Sequence, residues 1–325
     1  MYDLVIIGAG SAGLTAGLYA GRFRLNTLIL EKMSVGGQII LSSIIENYPG
    51  FPAGISTYEL IDRFKKQVED VGVKIEHSEV LEISEKPLPN TNCHESKAEL
   101  PRIYNIKTSD GFFDTKSLII AAGAQAKRLG AEGEEKFIGR GVSYCATCDG
   151  PLFKNKDVVV AGGGDRAIEE AIFLSSYANK VTVVHRRQEL RASKILEERA
   201  RQNSKINFVL DNIIEKIVGR DRVEEVVVKN VKTGLENVIP CQGVFIFVGV
   251  IPNTRFLKNF LRIDELGFII TDEDLTTSRD GIFAGGDCRK KSLYQVITAC
   301  AEGAIAANSA YKYVSHQTQA IQSGG

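Results

Sequence analysis

Residues 4–13 read Leu-Val-Ile-Ile-Gly-Ala-Gly-Ser-Ala-Gly, an apolar run that leads directly into a glycine-rich turn. Residues 157–167, Asp-Val-Val-Val-Ala-Gly-Gly-Gly-Asp-Arg-Ala, repeat this pattern later in the chain. Strand, glycine turn, helix and strand in this order form the unit that binds dinucleotides, so the chain is predicted to contain two such units. The helix and the second strand are expected at 14–22 and 26–30 in the first copy, and at 168–178 and 180–184 in the second.

The glycines of each turn have separate physical roles. The first permits the tight turn, the second lets the backbone approach a pyrophosphate, and the third allows close helix–strand packing. The following helix offers free N–H groups and its positive dipole end to the phosphates. Gly13 fills the third position in the first copy and Ala167 in the second, and both are small. A glycine-rich turn alone can be an ordinary strand–helix connection, but the repeated order of elements favours two nucleotide sites.

The end of the second strand carries opposite charge in the two copies. In the first copy it carries Glu31, whose carboxylate can accept hydrogen bonds from ribose hydroxyls, as in FAD or NAD sites. The same spacing in the second copy leads to His185, followed by Arg186, Arg187 and then Arg191. Guanidinium groups bind a 2′-phosphate bidentately, whereas a carboxylate repels it. The first copy is therefore predicted to bind FAD and the second NADPH; the alternative for the arginines is a solvated basic surface.

Residues 143–150, Ser-Tyr-Cys-Ala-Thr-Cys-Asp-Gly, contain Cys145 and Cys148, the two of the six cysteines that lie close together in sequence. Such a pair can form a redox-active disulfide, supply two zinc ligands or remain as inert buried thiols. Zinc needs four ligands, and the sequence offers neither a second close pair nor histidines at matching spacing. The redox function is favoured, with one thiol beside a flavin and the other attacking a substrate disulfide. Asp149 is then a candidate proton donor, with a helix cap or turn as its alternative role.

Length and composition limit the class of protein. The 325 residues suggest two domains, and the 40 basic and 40 acidic side chains cancel, which argues against nucleic acid as a partner. No apolar run is long enough to span a bilayer. The chain passes from Tyr2 and Asp3 straight into an apolar strand, without the pattern of a signal peptide. We therefore expect a cytoplasmic protein, in which a close cysteine pair is more often catalytic than structural.

Apolar runs at 118–123 and 244–250 are expected at the crossings between the two domains. The predicted fold class is α/β, with two Rossmann-like three-layer dinucleotide-binding domains, the NADPH domain being inserted in the FAD domain. Residues 84–102 are polar with three prolines and are predicted to form a surface loop, and the polar tail at 316–325 is predicted to be disordered. The expected boundaries are 1–123 for the first part of the FAD domain, 124–251 for the NADPH domain with the cysteine pair, and 252–325 for the second part of the FAD domain and the tail.

Taken together, these motifs resemble the low-molecular-weight thioredoxin reductases, which are class II pyridine nucleotide-disulfide oxidoreductases. The resemblance covers the chain apart from the tail and the polar segment at 84–102. The landmarks that carry it are Gly-Ala-Gly-Ser-Ala-Gly at 8–13, Gly-Gly-Gln at 36–38, Glu-Asn-Tyr-Pro-Gly at 46–50, Cys-Ala-Thr-Cys-Asp-Gly at 145–150, Gly-Gly-Gly-Asp at 162–165, His-Arg-Arg at 185–187 with Arg191 and Ala192, and Gly-Gly-Asp at 285–287 with Gln295.

The resemblance implies a homodimeric thioredoxin-disulfide reductase that passes electrons from NADPH through FAD and the Cys145–Cys148 disulfide to oxidised thioredoxin. Cys148 would be the thiol beside the flavin, Cys145 the thiol that exchanges with thioredoxin, and Asp149 the acid. The implied FAD residues are Gly8, Gly10, Ser11, Ala12, Gly13, Glu31, Lys32, Gly37, Gln38, Asn47, Val80, Ala122, Gly123, Gly286, Asp287, Gln295 and Val296. The implied NADPH residues are Gly162, Gly164, Asp165, Arg166, His185, Arg186, Arg187 and Arg191.

Four positions depart from the family pattern. Arg166 stands where Ser or Thr is usual, and Leu190 replaces an aromatic residue; both bear on the preference for the nicotinamide cofactor. Tyr294 stands where an Arg is common, and Ala121 begins a segment that lacks the usual Thr before its Gly; both bear on flavin contacts.

Several other functions share part of these motifs. A related flavoprotein could take electrons from NADH or reduced ferredoxin, or could reduce another disulfide partner, but Arg186, Arg187 and Arg191 argue for NADPH. A ferredoxin–NADP reductase of the same architecture has no need of Cys145 and Cys148. A dithiol oxidase would keep the cysteines without needing the arginines. A non-catalytic redox sensor is the alternative outside enzymes, and no appended effector region or basic patch supports it.

Overall fold

A computed structural model describes residues 1–41, 44–87 and 102–323, with side chains for 1–40, 44–86 and 102–317. The chain divides into two compact units, which we call unit 1 and unit 2. Unit 1 comprises Met1–Gln125 and Ile251–Gly325, and unit 2 comprises Ala126–Val250. The unit boundaries lie at 125/126 and 250/251, beside the expected positions 123/124 and 251/252.

The elements are numbered in chain order. The first segment of unit 1 contains β1 (Tyr2–Ile7), α1 (Ser11–Arg22), β2 (Thr27–Glu31), β3 (Ile44–Ile45), β4 (Ile55–Ser56), α2 (Thr57–Asp70), β5 (Lys74–His77), β6 (Val80–Pro87), β7 (Arg102–Thr108), β8 (Phe112–Ile120) and β9 (Ala124–Ala126). Then follow α3 (Glu134–Phe137), β10 (Val142–Ser143), α4 (Ala146–Asp149), β11 (Asp157–Gly162), α5 (Asp165–Ser175), β12 (Lys180–His185), α6 (Lys194–Gln202), β13 (Ile206–Leu210), β14 (Asn212–Val218), β15 (Glu225–Asn230), β16 (Glu236–Pro240) and β17 (Gly243–Phe247). The chain returns to unit 1 with β18 (Val250–Pro252), β19 (Ile282–Ala284) and α7 (Val296–Ser323).

Unit 1 is built on a sheet in which described strands lie in the order β5-β2-β1-β8-β7-β6, with β19 also paired to β8. β1 is parallel to both of its neighbours, with Ile6 opposite Ile29 on one side and Ile119 on the other. Both faces of β1 are covered, which explains why its sequence is a continuous apolar run rather than an alternating one. Helices α1, α2 and α7 cover one face, and the antiparallel β6–β7 pair contributes to the other.

Unit 2 is also built on a central sheet covered on both faces. Its sheet has five parallel strands in the order β10-β17-β11-β12-β13. Helices α5 and α6 pack on one face, where Val160, Ile168 and Leu174 are fully buried. The antiparallel sheet β14-β15-β16 covers the other face through side chains such as Ile217 and Val226. Each unit therefore has three layers, and the predicted α/β class with two Rossmann-like domains is confirmed.

Two local predictions need correction. The segment 84–102, predicted as a loop, begins and ends in strands: β6 runs through Pro87 and β7 begins at Arg102, with the two residues paired. β6 lies at the edge of the sheet, where a terminal proline interrupts no further ladder bond. Residues 88–101 of this segment lie outside the described residues.

The predicted disordered tail is wrong as far as Ser323, because α7 extends to that residue. Ala306, Ala310 and Val314 are buried at helical spacing along α7, and no Gly or Pro follows Gly303 until residue 324. An amphipathic helix therefore continues into the polar end of the sequence. Within the described part of the chain, no helix has both the length and the apolarity needed to cross a membrane.

Candidate redox and nucleotide sites

The cysteine pair forms a disulfide in unit 2, with an S–S bond of 2.07 Å. Cys145 caps the short helix α4, and its Sγ accepts the N–H of Cys148 at 3.1 Å and lies 3.3 Å from Thr147 Oγ1. Ser143 fixes the backbone before the helix, because its hydroxyl accepts the Cys145 N–H at 3.0 Å and donates to the Cys145 carbonyl at 3.1 Å. Cys145 is half-buried and Cys148 is exposed. The local donors therefore favour negative charge on the sulfur of Cys145.

Next to the disulfide, Tyr144 forms a hydrogen bond with Glu134. This contact was not predicted from the sequence. The Tyr144 hydroxyl donates to the Glu134 carboxylate, which also accepts the N–H groups of Leu129 at 2.9 Å and Gly130 at 2.6 Å. Glu134 is 2% exposed, so these donors satisfy a buried charge. Burial, and then the bond to Glu134, raises the pKa of Tyr144 well above its usual range. Tyr144, the residue before Cys145, is therefore held in place by its hydrogen bond to the buried Glu134.

Asp149 lies in α4 with its backbone N–H bonded to the Cys145 carbonyl at 3.2 Å. It precedes the 3₁₀ turn Gly150–Phe153, and its side chain makes no cap hydrogen bond there, which argues against the helix-cap alternative. Asp149 lines a cleft of about 320 Å³ within unit 2, next to Leu152, which is 69% exposed. The other residues lining this cleft are Gly139, Arg140, Gly141, Val142, Ser143, Phe153, Lys156, Arg222, Val223 and Gln242.

The glycine turn of unit 1 leaves space in front of α1. Gly8 has φ +105°, and a Cβ on Gly13 would lie 1.8 Å from the Gly8 carbonyl oxygen, so both positions need glycine for the turn and its packing. A Cβ on Gly10 would meet nothing closer than Gly36 O at 3.9 Å. Gly10 is also the N-cap residue of α1 and brings no capping side chain. The turn thus has the open space and the free N–H groups that a pyrophosphate requires.

Glu31 lies beside this turn at the end of β2. Its carboxylate accepts the Ala9 N–H at 2.7 Å and the Met33 N–H at 2.9 Å, which fixes the side chain where a ribose would be bound. A cleft of about 610 Å³ within unit 1 is lined by Glu31, Met33 and His77 among others. Lys32 points away to a surface ion pair with Glu79 at 3.2 Å.

Other predicted flavin residues from distant parts of the sequence meet in unit 1. Asn47 Nδ2 donates to Gln295 Oε1 at 3.0 Å, across 248 positions of sequence. A Cβ on Gly286 would lie 2.9 Å from the Ala12 side chain, so this turn closely approaches α1. The remaining predicted residues have these places: Ser11 and Gly13 in the first turn of α1, Gly37 and Gln38 in the 3₁₀ turn Gly37–Leu41, Val80 at the start of β6, Ala122 and Gly123 after β8, Asp287 after β19, and Val296 at the start of α7.

The turn of unit 2 has an equivalent arrangement. Gly162 has φ +151°, and its Cβ would lie 2.5 Å from the Phe247 carbonyl oxygen. A Cβ on Gly163 would lie 2.4 Å from the His185 ring, whereas a Cβ on Gly164 would meet nothing within 4 Å. Gly164 is the N-cap residue of α5 and, like Gly10, leaves the first N–H groups of its helix without a capping side chain. This turn is therefore also suited to a pyrophosphate.

The segment after β12 folds back onto this turn. The Arg191 N–H donates to the Gly163 carbonyl and the Ser193 N–H donates to Asp165 Oδ1, both at 2.6 Å. Leu190 is 8% exposed and belongs to the core of unit 2, so this departure from the family pattern is accommodated as a packing residue. The guanidinium-bearing residues Arg186, Arg187 and Arg191 are all exposed around the turn.

His185 lies beneath this group of arginines and is 5% exposed. Its Nε2 is buried and has no hydrogen-bond partner among the described residues. Burial, followed by the charge of Arg191, lowers the pKa of His185, so the imidazole is neutral at physiological pH. A buried ring nitrogen without a partner, next to exposed guanidinium groups, fits a site completed by a polar ligand.

Arg166 occupies the first turn of α5 and packs its guanidinium over the Phe247 ring, 5.5 Å from the ring centre. Glu170, one helical turn further on, is 3% exposed. Burial raises the pKa of Glu170 to about 7, against the opposing attraction of Arg166. Arg166 is therefore accommodated within unit 2 by the face of the Phe247 ring and by the charge interaction with Glu170.

Comparison with known proteins agrees with this geometry. A family model described as pyridine nucleotide-disulphide oxidoreductase matches residues 2–303. The thioredoxin reductase of Treponema pallidum is 42% identical over 313 residues, covering 96% of this chain and 97% of that protein. The thioredoxin reductase of Listeria innocua is 42% identical over 324 residues, covering 99% and 97%.

A solved structure shows the same similarity in three dimensions. The crystal structure of Lactococcus lactis thioredoxin reductase matches with a TM-score of 0.90 and 42% identity, covering 97% of this chain and 100% of that one. Sequence identity above 40% over nearly the whole of both chains, together with this agreement in fold, goes well beyond a shared architecture. The chain therefore belongs to the pyridine nucleotide-disulphide oxidoreductase family and, within it, to the thioredoxin reductases.

Proposed function

We propose that the protein is an NADPH-dependent thioredoxin-disulfide reductase that uses FAD. Membership of the family implies a flavin and a nicotinamide nucleotide. The observation that carries the proposal is the Cys145–Cys148 disulfide, held in the same unit as a dinucleotide turn surrounded by arginines. The disulfide lies at the start of a short helix, where the Cys145 sulfur is close to the Cys148 N–H and the Thr147 hydroxyl. These groups stabilise a thiolate, so the disulfide is suited to reversible reduction.

The thiol–disulfide exchange can be followed through this chain's own residues. In the reduced pair, the Cys145 thiolate attacks one sulfur of the thioredoxin disulfide, and the other thioredoxin sulfur leaves as a thiolate and takes a proton. The Cys148 thiolate then attacks the Cys145 sulfur of the mixed disulfide, which re-forms the Cys145–Cys148 bond and releases thioredoxin as a dithiol. Two electrons and two protons reach thioredoxin in each cycle, and Asp149 is the proposed proton donor. The N–H of Cys148 and the Thr147 hydroxyl stabilise the attacking thiolate.

FAD, when bound, supplies the two-electron relay between the nicotinamide and the disulfide. In unit 1, Gly10 and the first turn of α1 would receive its pyrophosphate, Glu31 its ribose, and Asn47, Asp287 and Gln295 the flavin end. The Glu31 carboxylate at the ribose position can accept hydrogen bonds from ribose hydroxyls, which suits an unphosphorylated ribose.

Unit 2 would hold NADPH at Gly164 and Asp165. The exposed guanidinium groups of Arg186, Arg187 and Arg191 supply the charge that a 2′-phosphate requires. His185 adds its buried Nε2 as a further polar contact. This group of residues favours NADPH over NADH as the electron donor.

The proposed protein partner would approach the cleft beside Asp149. Leu152 offers an exposed apolar side chain, and Arg140, Lys156 and Arg222 place positive charge around the same cleft. An apolar contact with a charged surround is typical of a transient docking surface. We place this reaction in the cytoplasm, where dithiol–disulfide pairs are usually catalytic, and assign the active form to a homodimer, to be checked by the mass of the species in solution.

The test is anaerobic mixing of the purified yellow protein with NADPH and, separately, with NADH. Rapid loss of the oxidised flavin absorbance with NADPH, and a much slower loss with NADH, is the expected result. Cys148→Ser should leave this reduction by NADPH intact and abolish the reduction of thioredoxin. Reduction by NADH alone would overturn the donor assignment, and thioredoxin reduction by Cys148→Ser would overturn the role of the disulfide.

A further inference from the structure

Four charged side chains of unit 1 form a cluster under the turn Gly285–Asp287. Lys291 Nζ lies 3.1 Å from Asp287 Oδ1 and 3.3 Å from Glu302 Oε2. Arg289 Nη1 donates to Glu302 Oε1 at 2.9 Å. Among the ion pairs of the described residues, Lys291 is the cation that joins both carboxylates. The cluster holds two positive and two negative charges and is therefore balanced.

Three of the four side chains in the cluster are largely buried. The side chain of Lys291 is 6% exposed, that of Glu302 11% and that of Arg289 15%, whereas Asp287 keeps 31%. Charges that lose this much water are tolerated when each has a close partner, and removing one partner leaves an uncompensated buried charge. Three members thus serve as an internal support, and Asp287 is the most exposed member, although its Oδ1, the atom nearest Lys291, is buried.

The cluster also holds the backbone of the turn. Glu302 Oε2 accepts the Gly286 N–H at 2.7 Å, and a Cβ on Gly285 would lie 3.4 Å from the Glu302 Cβ. Glu302 comes from α7, whereas the turn follows β19, so this bond fixes the turn against the helix. Lys291 connects the bonded carboxylate to the side chain of Asp287.

Tyr294 gives the same lysine a neutral neighbour. Lys291 Nζ lies 5.3 Å from the centre of the Tyr294 ring, and that ring packs against Phe268 at 5.7 Å. An arginine at position 294 would add a third cation to a cluster that already holds Arg289 and Lys291. The aromatic face instead attracts the ammonium group, and the departure at position 294 keeps the charge of the cluster balanced.

We propose that Lys291 is a positioning residue for the flavin: it orients the Asp287 carboxylate and, through Glu302, fixes the Gly286 backbone at the flavin end of unit 1. This inference rests on the proposed FAD site. It assigns to Lys291 and Glu302 a role that acts through charge balance, so the two residues must be coupled. Loss of Lys291 leaves two carboxylates with Arg289 as the remaining cation of the cluster, and removal of the Glu302 charge in the same chain restores a net charge of zero without giving Asp287 a new partner.

The experiment compares the rate at which FAD leaves the holoenzyme after dilution, followed by the rise in flavin fluorescence. Lys291→Met should release FAD at least about tenfold faster than the unaltered protein, because a buried carboxylate loses its partner. Lys291→Met/Glu302→Gln should release FAD at least about threefold more slowly than Lys291→Met, since the net charge is restored and the glutamine oxygen still accepts the Gly286 N–H, but faster than the unaltered protein, because Asp287 lacks its lysine. The control is Lys290→Met, which removes an adjacent exposed lysine and should change nothing.

Equal release rates for Lys291→Met and Lys290→Met would overturn the inference, as would a double variant no better than Lys291→Met. If Lys291→Met fails to fold, recovery of a folded, yellow double variant supports charge balance, and failure of the double variant contradicts it. An unaltered protein that retains no FAD at all would instead contradict the proposed function.

Discussion

At the residue scale, neighbouring side chains at the end of β12 differ in solvent exposure and therefore in the contacts they can make. His185 is buried and neutral, whereas Arg186 and Arg187 are exposed and charged. The strand fixes the first side chain by packing, and the chain then turns outward. A phosphate group would be bound by the exposed guanidinium groups, and a neutral polar contact would be made by the buried ring.

Replacement of either arginine tests the phosphate assignment. Arg186→Gln and Arg187→Gln should each raise the KM for NADPH by about tenfold, the loss expected for one charge-assisted hydrogen bond, while the KM for NADH stays unchanged. Steady-state kinetics with both donors measures this. Arg220→Gln, an exposed arginine elsewhere in unit 2, is the control and should alter neither value. Equal changes for NADPH and NADH would argue against a 2′-phosphate contact.

The lowered pKa of His185 predicts a pH dependence of stability. The unfolded chain binds a proton at His185 as the pH falls through about 6.5, whereas the folded state resists it, so folding loses stability below that pH. His185→Gln should therefore show a smaller fall in melting temperature between about pH 7.5 and about pH 5.5 than the unaltered protein. His77→Gln, at an exposed position, should keep the original dependence. Identical pH profiles for the two variants would refute the assignment.

At the scale of the elements, each glycine turn combines glycines that the fold requires with one glycine at which a side chain would have room. A side chain on Gly13 would collide with the backbone of Gly8, whereas a side chain on Gly10 would project into open space. The same contrast holds for Gly162 and Gly164 in unit 2. Folding alone therefore does not explain the glycines at positions 10 and 164.

Gly10→Ala and Gly13→Ala should fail in different ways. Gly10→Ala should fold with a circular dichroism spectrum like that of the unaltered protein but retain less than about a tenth of its FAD, because the methyl group occupies the space for the pyrophosphate. Gly13→Ala should give little folded protein, since its Cβ would lie 1.8 Å from a carbonyl oxygen. Visible absorbance per folded chain measures the difference. Normal FAD content in Gly10→Ala would contradict the position given to the pyrophosphate.

At the scale of the whole molecule, unit 2 is a continuous segment whose two ends come together. The entering strand β9 pairs with the leaving strand β18, and the Lys127 N–H donates to the Gly249 carbonyl at 2.9 Å. The unit has its own core on both faces of its parallel sheet. A segment with adjacent ends and a complete core has the properties of an independently folding domain.

Residues 126–250 expressed alone should therefore fold cooperatively, bind NADPH and remain colourless. Urea unfolding followed by circular dichroism tests the first property, and calorimetric titration with NADP⁺ tests the second. NADP⁺ should bind within about tenfold of its affinity for the full chain, since the proposed contacts all lie in this segment. A yellow fragment, or a folded fragment without NADP⁺ affinity, would contradict the assignment of the two nucleotides to the two units.

The sequence by itself determined the α/β class, the two Rossmann-like domains and the family, all of which are confirmed. These conclusions rest on local patterns: apolar runs, glycine spacing, and charged residues at fixed distances along the chain. The helical end of the chain was mispredicted because its polar composition hid the buried positions Ala306, Ala310 and Val314, whose burial depends on packing with other elements.

Only the tertiary structure decided which distant side chains support the site. The contacts Asn47–Gln295, Tyr144–Glu134 and Lys291–Glu302 join residues whose sequence neighbourhoods carry no sign of pairing. Glu134 and Glu302 look like ordinary surface glutamates in the sequence, yet both are buried. Burial and ion pairing arise when separate helices and strands pack together. A single sequence indicates these elements but not which of them will be in contact.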